Sequence, residues 1–149
     1  MAIECKDFLA FARQLGQQDS EVAFRSAISR AYYAAFHRCK EWEQTLPMLG
    51  RNEGPEGGSH QELINRLKHP AERCGEILKE RSRRNGAQLE AQRHRRVQAD
   101  YALGETVTAA EMHDQFGQVR QVLERCDAAL PRSMPQLRRQ APTQSQSLR

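Results

Sequence analysis

Apolar residues recur at intervals of three and four along most of this chain, the spacing that places them on one face of an α-helix. Strand-like alternation is scarce, and residues that favour helix dominate. The pattern predicts an all-α protein with one domain over residues 1–130, built as an up-and-down bundle of about five helices.

The first predicted helix covers residues 3–17, and the second covers residues 20–46. The third begins at Ser59, is interrupted or kinked by Pro70 and continues to Leu78. The second helix is rich in alanine, which lets another helix approach closely. We therefore expect it to be the central helix of the bundle and also to contribute to a subunit contact.

Asn85-Gly86 predicts a break before a fourth helix over residues 87–102. The last predicted helix runs from Thr108 to Leu130 and carries an uninterrupted apolar stripe. Two pairs have capping-box spacing and predict helix N-termini: Ser59 with Glu62, and Thr108 with Glu111.

Residues 131–149 differ in composition from the rest of the chain. They are rich in proline, glutamine, serine and arginine, and they predict a disordered tail. No apolar run approaches the roughly 20 residues of a membrane helix, and the N-terminus does not resemble a signal peptide. The four cysteines lack metal-ligand or disulfide spacing. We expect a soluble, cytoplasmic protein with buried, reduced thiols, no bound metal, no cofactor and no membrane partner.

Positive charge is concentrated in residues 81–96, which contain six arginines and a single acidic residue, Glu90. Guanidinium groups bind phosphate oxygens with paired donors and keep their charge at physiological pH. A solvated helix face is the alternative explanation. We interpret the stretch as an RNA-binding surface whose phosphate-binding residues are Arg83, Arg84, Arg93 and Arg95.

The most informative segment is Arg96-Val97-Gln98-Ala99-Asp100-Tyr101, which follows this arginine-rich stretch. Arg96 and Asp100 are four residues apart, which predicts an ion pair along one helix face. Tyr101 lies about 140° from Arg96 around a straight helix. We therefore expect a joint site only at an unwound helix end, or where two copies of this helix meet.

The segment from Arg96 to Tyr101, together with the run Arg25–His37 and with Ser59-His60, resembles the HEPN family. The resemblance covers about residues 5–130 and implies a HEPN-like helical homodimer whose arginine-bearing helices face each other across a shared cleft. Many HEPN proteins are metal-independent ribonucleases, in which an arginine and a histidine four to six residues later promote attack of the ribose 2′-hydroxyl on the adjacent phosphate.

Here Tyr101 stands in the place of that histidine, and Val97 stands where catalytic members often have a polar residue. A tyrosine hydroxyl, with an ordinary pKa of about 10, is a weaker base at neutral pH than an imidazole with a pKa of about 6.5. The resemblance implies Arg96, Tyr101 and Asp100 as the catalytic group. His60, Arg30 and Tyr33 are candidate accessory residues.

Three functions remain open from the sequence. The first is a ribonuclease toxin of a toxin–antitoxin or phage-defence system, acting on tRNA or mRNA, with a minimal nucleotidyltransferase as the implied antitoxin and Tyr101 as a residue that could accept nucleotide groups. The second is a non-catalytic module that binds nucleotide or RNA, or a helical subunit of a larger defence complex. The third is a purely structural dimerisation bundle, suggested by the alanine-rich second helix.

Overall fold

A computed structural model describes residues 2–131 and contains five α-helices in that range. They are α1 (Cys5–Gly16), α2 (Glu21–Glu43), α3 (Ser59–Lys68), α4 (Gly75–Tyr101) and α5 (Ala109–Asp127). A short 3-10 turn, Glu72–Cys74, precedes α4, and no β-strand occurs between residues 2 and 131. The all-α prediction is confirmed, whereas the predicted tail lies outside the described residues from residue 132 onward.

Helix α2 is the centre of the bundle. It packs against α1, α4 and α5, and α3 packs mainly against α4. Apolar side chains from all five helices meet in one continuous core. The fully buried members include Ile28, Tyr32, Leu63, Ile64, Leu67, Leu89, Val119 and Val122.

The alanines of α2 are buried inside this chain. Ala27, Ala31, Ala34 and Ala35 have no exposed surface. Because neighbouring helices of the same chain cover them, this small-residue surface is not free for a second subunit. The prediction that α2 is central is confirmed, and the prediction that α2 contributes to a subunit contact stays a prediction, now limited to its exposed residues.

Helix α4 continues through Asn85-Gly86, where the sequence predicted a break. Asn85 is buried, accepts a hydrogen bond from Arg125 Nη1 at 2.8 Å through Oδ1, and donates through Nδ2 to Cys126 Sγ at 3.6 Å. Gly86 is needed for close packing, since a Cβ there would lie 3.0 Å from the Leu67 Cβ and 3.1 Å from the Lys68 nitrogen. Both turn-forming residues therefore serve helix packing here.

The true interruption lies around Pro70. Helix α3 ends at Lys68, and the chain passes through the 3-10 turn to Gly75, whose φ of 80° favours glycine. The third predicted helix is thus two separate helices, and α4 begins twelve residues before the predicted start at residue 87. Proline, which lacks an amide hydrogen, ended the helix instead of kinking it.

The two predicted capping boxes have different outcomes. Thr108 caps α5, and the reciprocal bonds with Glu111 are both present. Helix α3 begins at Ser59 as predicted, but its N-cap residue is Gly58 and no side chain caps it, so the predicted capping box of Ser59 with Glu62 is wrong. Near the chain end, α5 stops at Asp127, which leaves Leu130 outside the helix and 41% exposed.

Arg25 fixes the C-terminal end of α4. Its side chain is buried, pairs with Glu21 Oε2 at 2.8 Å, and donates to the carbonyl oxygens of Gln98, Ala99, Ala102 and Glu105. The last carbonyls of a helix have no partner within it. One buried guanidinium therefore satisfies several of them and holds the segment that carries Asp100 and Tyr101.

Two features complete the description of residues 2–131. No helix in this range is long and apolar enough to span a membrane. The four cysteines are free thiols, and Cys39, Cys74 and Cys126 are buried while Cys5 is half-buried. The prediction of mostly buried thiols is confirmed.

Two glycine substitutions are expected to change stability in opposite directions. Gly86→Ala should lower the free energy of unfolding by about 1–3 kcal/mol, because the new methyl group would clash with α3. Gly117→Ala in α5 should raise it by about 0.5–1 kcal/mol, because a Cβ there meets no atom within 4 Å and alanine favours helix. Urea denaturation measures both. Equal gains in the two variants would contradict the close contact of α3 with α4.

Candidate functional site

Arg96 lies near the C-terminal end of α4 and is held by residues from two helices. Its Nη2 donates to the hydroxyl of Tyr33 on α2 at 3.0 Å. Its Nε lies 3.1 Å from Asp100 Oδ2, a close ion pair that lacks hydrogen-bond alignment. Ser29 Oγ also donates to Asp100 Oδ2, at 3.3 Å. The guanidinium is thereby oriented while remaining partly exposed.

Two guanidinium groups contact the ring of Tyr33. The Cζ atoms of Arg96 and Arg30 lie 5.5 Å and 5.7 Å from the ring centroid, within the range of cation–π attraction. Arg30 is exposed, and no acidic side chain among residues 2–131 pairs with it. Positive charge therefore collects on this face of α2 and α4.

His60 stands in the first turn of α3 beside the same tyrosine. Its ring stacks on Phe36 with centroids 4.0 Å apart, and its Nδ1 shares a hydrogen bond of 2.6 Å with the Tyr32 hydroxyl. The ring of Tyr33 is 6.1 Å away. Helix α3 thus brings an imidazole to the cluster that α2 and α4 build around Arg96.

The electrostatic surroundings favour a neutral His60. Burial lowers the pKa of the imidazole below its ordinary value, and the positive charges of Arg93 and Arg96 lower the pKa further. Burial likewise raises the pKa of the Tyr32 hydroxyl, so this group keeps its proton. A neutral imidazole has one ring nitrogen that can accept a proton and one N–H that can donate.

Tyr101 is closer to Arg96 than a straight helix suggested. The Cζ of Arg96 lies 5.9 Å from the Tyr101 ring centroid, since the long arginine side chain spans the angular separation at the last turn of α4. The Tyr101 side chain is 70% exposed and makes no hydrogen bond among the described residues. It therefore borders the cluster from the solvent side.

The predicted phosphate-binding arginines do not share one surface. Arg93 donates to Gln61 Oε1 on α3 at 3.1 Å, and its charge acts on His60. Arg95 turns toward α5, where Nη1 donates to Gln115 and Gln118. Arg83 and Arg84 are exposed, at about 18–20 Å from Arg96 along the helix axis. Of these four, only Arg93 joins the cluster, hereafter the Arg96 cluster: Arg96, Asp100, Tyr33, Arg30, His60 and Arg93.

Sequence reasoning named all six residues of the Arg96 cluster but missed two supporting ones, Ser29 and Tyr32. Both lie on the face of α2 that carries Arg25 and Tyr33, at intervals of three and four residues. That spacing is the signal that could have identified them. Two of the histidines outside the cluster differ in environment: His94 is exposed on α4, whereas His37 stacks on Phe8 and burial lowers its pKa.

Residues 2–131 contain no group of three or more histidine, cysteine or acidic side chains arranged to hold a metal ion. No known protein-family model, curated protein or solved structure matches the chain significantly. The features of this chain that point to a function are the geometry of the Arg96 cluster and the sequence resemblance of its residues.

Proposed function

We propose that this protein is a HEPN-like RNA-binding protein that cleaves RNA without a metal ion at the Arg96 cluster. The observation that carries the proposal is the convergence of Arg96 and His60 on the ring of Tyr33 from different helices. The resemblance supplies the reaction class, and the geometry supplies a fixed cation and a neutral imidazole side by side.

In the proposed reaction, the ribose 2′-hydroxyl loses its proton and its oxygen bonds to the adjacent phosphorus, while the bond from phosphorus to the 5′-oxygen of the next nucleotide breaks. The products are a 2′,3′-cyclic phosphate end and a 5′-oxygen that takes up a proton and becomes a hydroxyl. Arg96 stabilises the negative charge that develops on the phosphoryl oxygens, and Tyr33 and Asp100 hold it in position. His60 accepts the proton of the 2′-hydroxyl, a transfer that the family motif gives to a histidine at another position. Tyr101 borders the cluster, where its hydroxyl can donate to a phosphate oxygen.

The net charge of the site supports a polyanionic substrate. Arg30, Arg93 and Arg96 contribute three positive charges, and Asp100 contributes one negative charge. His60 lies in the first turn of α3, whose N-terminus has no side-chain cap and carries a partial positive charge. Binding through such groups weakens steeply as the salt concentration rises.

The proposal includes a homodimer in which the α4 ends of two copies meet. Tyr101 and Leu103 are 70% and 77% exposed there, and burying large apolar side chains against a second copy favours association. By the same resemblance, a nucleotidyltransferase antitoxin would act on Tyr101 before two copies associate, since Tyr101 is exposed in the single chain. Light scattering of wild type and of Leu103→Lys tests the dimer: the wild type should have twice the mass of the variant.

A second candidate function is RNA binding without cleavage, as an isolated module or as a subunit of a larger defence complex. The ion pair between Arg96 and Asp100 favours it, because a neutralised guanidinium stabilises phosphoryl charge less strongly. Position 101 carries a tyrosine instead of the histidine of the family motif, which also favours RNA binding without cleavage. The two candidates differ only in whether the bound RNA is cut.

The deciding experiment incubates the purified full chain with total tRNA and a labelled single-stranded RNA in EDTA. Cleavage with cyclic phosphate ends supports the ribonuclease. Salt-dependent binding without cleavage supports the second candidate. If the protein neither binds nor cleaves these RNAs at low salt, both candidates are wrong.

The titration of His60 provides a separate test that needs no activity. We expect its imidazole, followed by NMR, to titrate below 6.5, because burial and the charges of Arg93 and Arg96 disfavour the protonated form. Arg93→Gln should raise this pKa by removing one positive charge. Arg95→Gln, a matched substitution on the side of α4 that faces α5, should leave it nearly unchanged. Equal shifts in both variants would contradict the proposed position of Arg93 beside His60.

If the protein cleaves RNA, the acid limb of its rate profile should follow the same pKa. A base acts in its unprotonated form, so the rate should rise with pH through the lowered His60 pKa and level off above it. In Arg93→Gln the limb should move to higher pH. A limb that stays in place while the His60 pKa moves would assign the proton transfer to another group.

A further inference from the structure

A small groove between α3 and α4 adjoins the Arg96 cluster. Its volume is about 190 Å³, below the range of about 300–1,000 Å³ that holds drug-sized ligands, so it suits a single planar ring system. Six residues line it: Gln61, Ile64, Glu90, Arg93, His94 and Val97. Arg93 belongs both to this groove and to the Arg96 cluster, which makes the two continuous.

The groove combines apolar surface with polar groups of both kinds. Ile64 is buried, and Val97 is 41% exposed, although its neighbours on this stretch of α4 are mostly polar. Glu90 contributes a carboxylate whose Oε1 is 2.8 Å from Lys68 Nζ, which leaves further acceptor sites on both oxygens. Arg93 uses one N–H for Gln61 and has other donors to offer.

This set of groups fits one nucleobase better than the others. Guanine presents two adjacent N–H donors, at N1 and N2, which a carboxylate can accept together, and it presents O6 and N7 to a guanidinium. Adenine offers a donor at N6 beside an acceptor at N1, and cytosine and uracil each offer a single N–H-bearing group on that edge. A carboxylate and a guanidinium around an apolar floor therefore favour guanine.

We propose that the groove lined by Ile64, Val97, Glu90 and Arg93 binds a guanine base of RNA next to the phosphate held at the Arg96 cluster. The inference rests on the proposed function, because it assigns the base specificity of the same site. It also gives Val97 a role: the position that is often polar in catalytic HEPN proteins supplies apolar surface against the flat face of the base.

The first test uses nucleosides, which carry no phosphate and so do not depend on binding at Arg96. Methyl NMR of the full chain should show saturable shifts at Ile64 and Val97 on addition of guanosine. Adenosine, cytidine and uridine should bind about tenfold more weakly, as expected when one bidentate contact is lost. Similar affinities for all four nucleosides, or shifts away from the groove, would overturn the proposal.

Two variants test the contributions of the carboxylate and of the apolar surface separately. Glu90→Gln should remove most of the roughly tenfold preference for guanosine. Glu124→Gln, which alters an ion-paired carboxylate on α5 far from the groove, should keep it. Val97→Lys places a charged chain in the groove and should abolish guanosine binding, while RNA binding through phosphate is retained or strengthened. Circular dichroism establishes that each variant is folded.

The outcomes distinguish this proposal from the proposed function. Guanosine binding in a protein that does not bind RNA would support a guanine-binding site in the groove and contradict the proposed function. RNA cleavage with no guanine preference, either in nucleoside binding or in the bases flanking the cut, would contradict guanine binding in the groove. It would still support the proposed ribonuclease activity.

Discussion

Replacing Arg96 with alanine is expected to lower the proposed metal-independent RNA cleavage by at least about a hundredfold, because removal of one group that stabilises developing charge typically costs that much. The substitution removes the guanidinium that Tyr33 and Asp100 hold in place. It also leaves the carboxylate of Asp100 without its cation, and an unpaired carboxylate repels phosphate. Cleavage of a labelled RNA in EDTA, under single-turnover conditions, measures the effect.

Arg120→Ala is the matched control, because it removes the same charge from an exposed ion pair with Glu124 on α5. We expect its cleavage rate to stay within about twofold of wild type at physiological salt, where distant surface charges are screened. Arg96→Lys adds a second control, since it keeps the charge but loses the planar donor fork and should recover only part of the activity. Equal losses in Arg96→Ala and Arg120→Ala would mean that total charge, not the cluster, governs cleavage.

Arg83→Ala and Arg84→Ala test whether the arginine-rich stretch works as one unit. Both residues are exposed and about two helical turns or more from the Arg96 cluster, so they should weaken RNA binding and flatten its salt dependence without abolishing cleavage. A loss of cleavage equal to that of Arg96→Ala would contradict the division between catalytic and binding arginines.

Replacing Arg25 with methionine is expected to give the largest loss of stability, about 3 kcal/mol in the free energy of unfolding. Methionine fills much of the space but leaves the carbonyl oxygens at the end of α4 without their donor and Glu21 without its cation. Guanidinium denaturation monitored by circular dichroism measures the change. An unchanged m-value would indicate that the native state, not the unfolded state, is affected.

Arg120→Met serves as the stability control, because an exposed ion pair on one helix contributes less than about 1 kcal/mol. If the two substitutions cost the same, the contacts of Arg25 with α4 do not stabilise the fold. Arg25→Met should also increase hydrogen exchange at the amides of Ala102 and Leu103, since the end of α4 loses its anchor there.

Helix positions followed the sequence where local signals were strong. The apolar stripe of α5 and the capping box of Thr108 with Glu111 both formed, because each depends on residues within two turns of one another. The predicted break at Asn85-Gly86 did not form, because both residues gain contacts from other helices: Asn85 from Arg125 and Gly86 from Leu67 and Lys68. Local turn propensity is small beside such packing and hydrogen bonding.

In the candidate site, too, local contacts were predictable from the sequence and contacts between helices were not. The ion pair of Arg96 with Asp100 was predictable, since four residues along a helix place two side chains on one face. The bond from Arg96 to Tyr33 joins residues 63 positions apart, and the bond of His60 to Tyr32 joins residues 28 positions apart. No spacing rule within one helix relates such pairs.

The sequence by itself determined that the chain is helical, which faces of α1 and α5 carry apolar residues, and that a cation and a carboxylate stand together near the end of α4. The tertiary structure decided that α4 is one continuous helix, that the alanines of α2 are buried within the chain, and that an imidazole from α3 meets Arg96 at Tyr33. The physical reason is the range of the forces. Helix periodicity and capping act within a few residues, whereas burial and side-chain bonding between helices depend on how the whole chain packs.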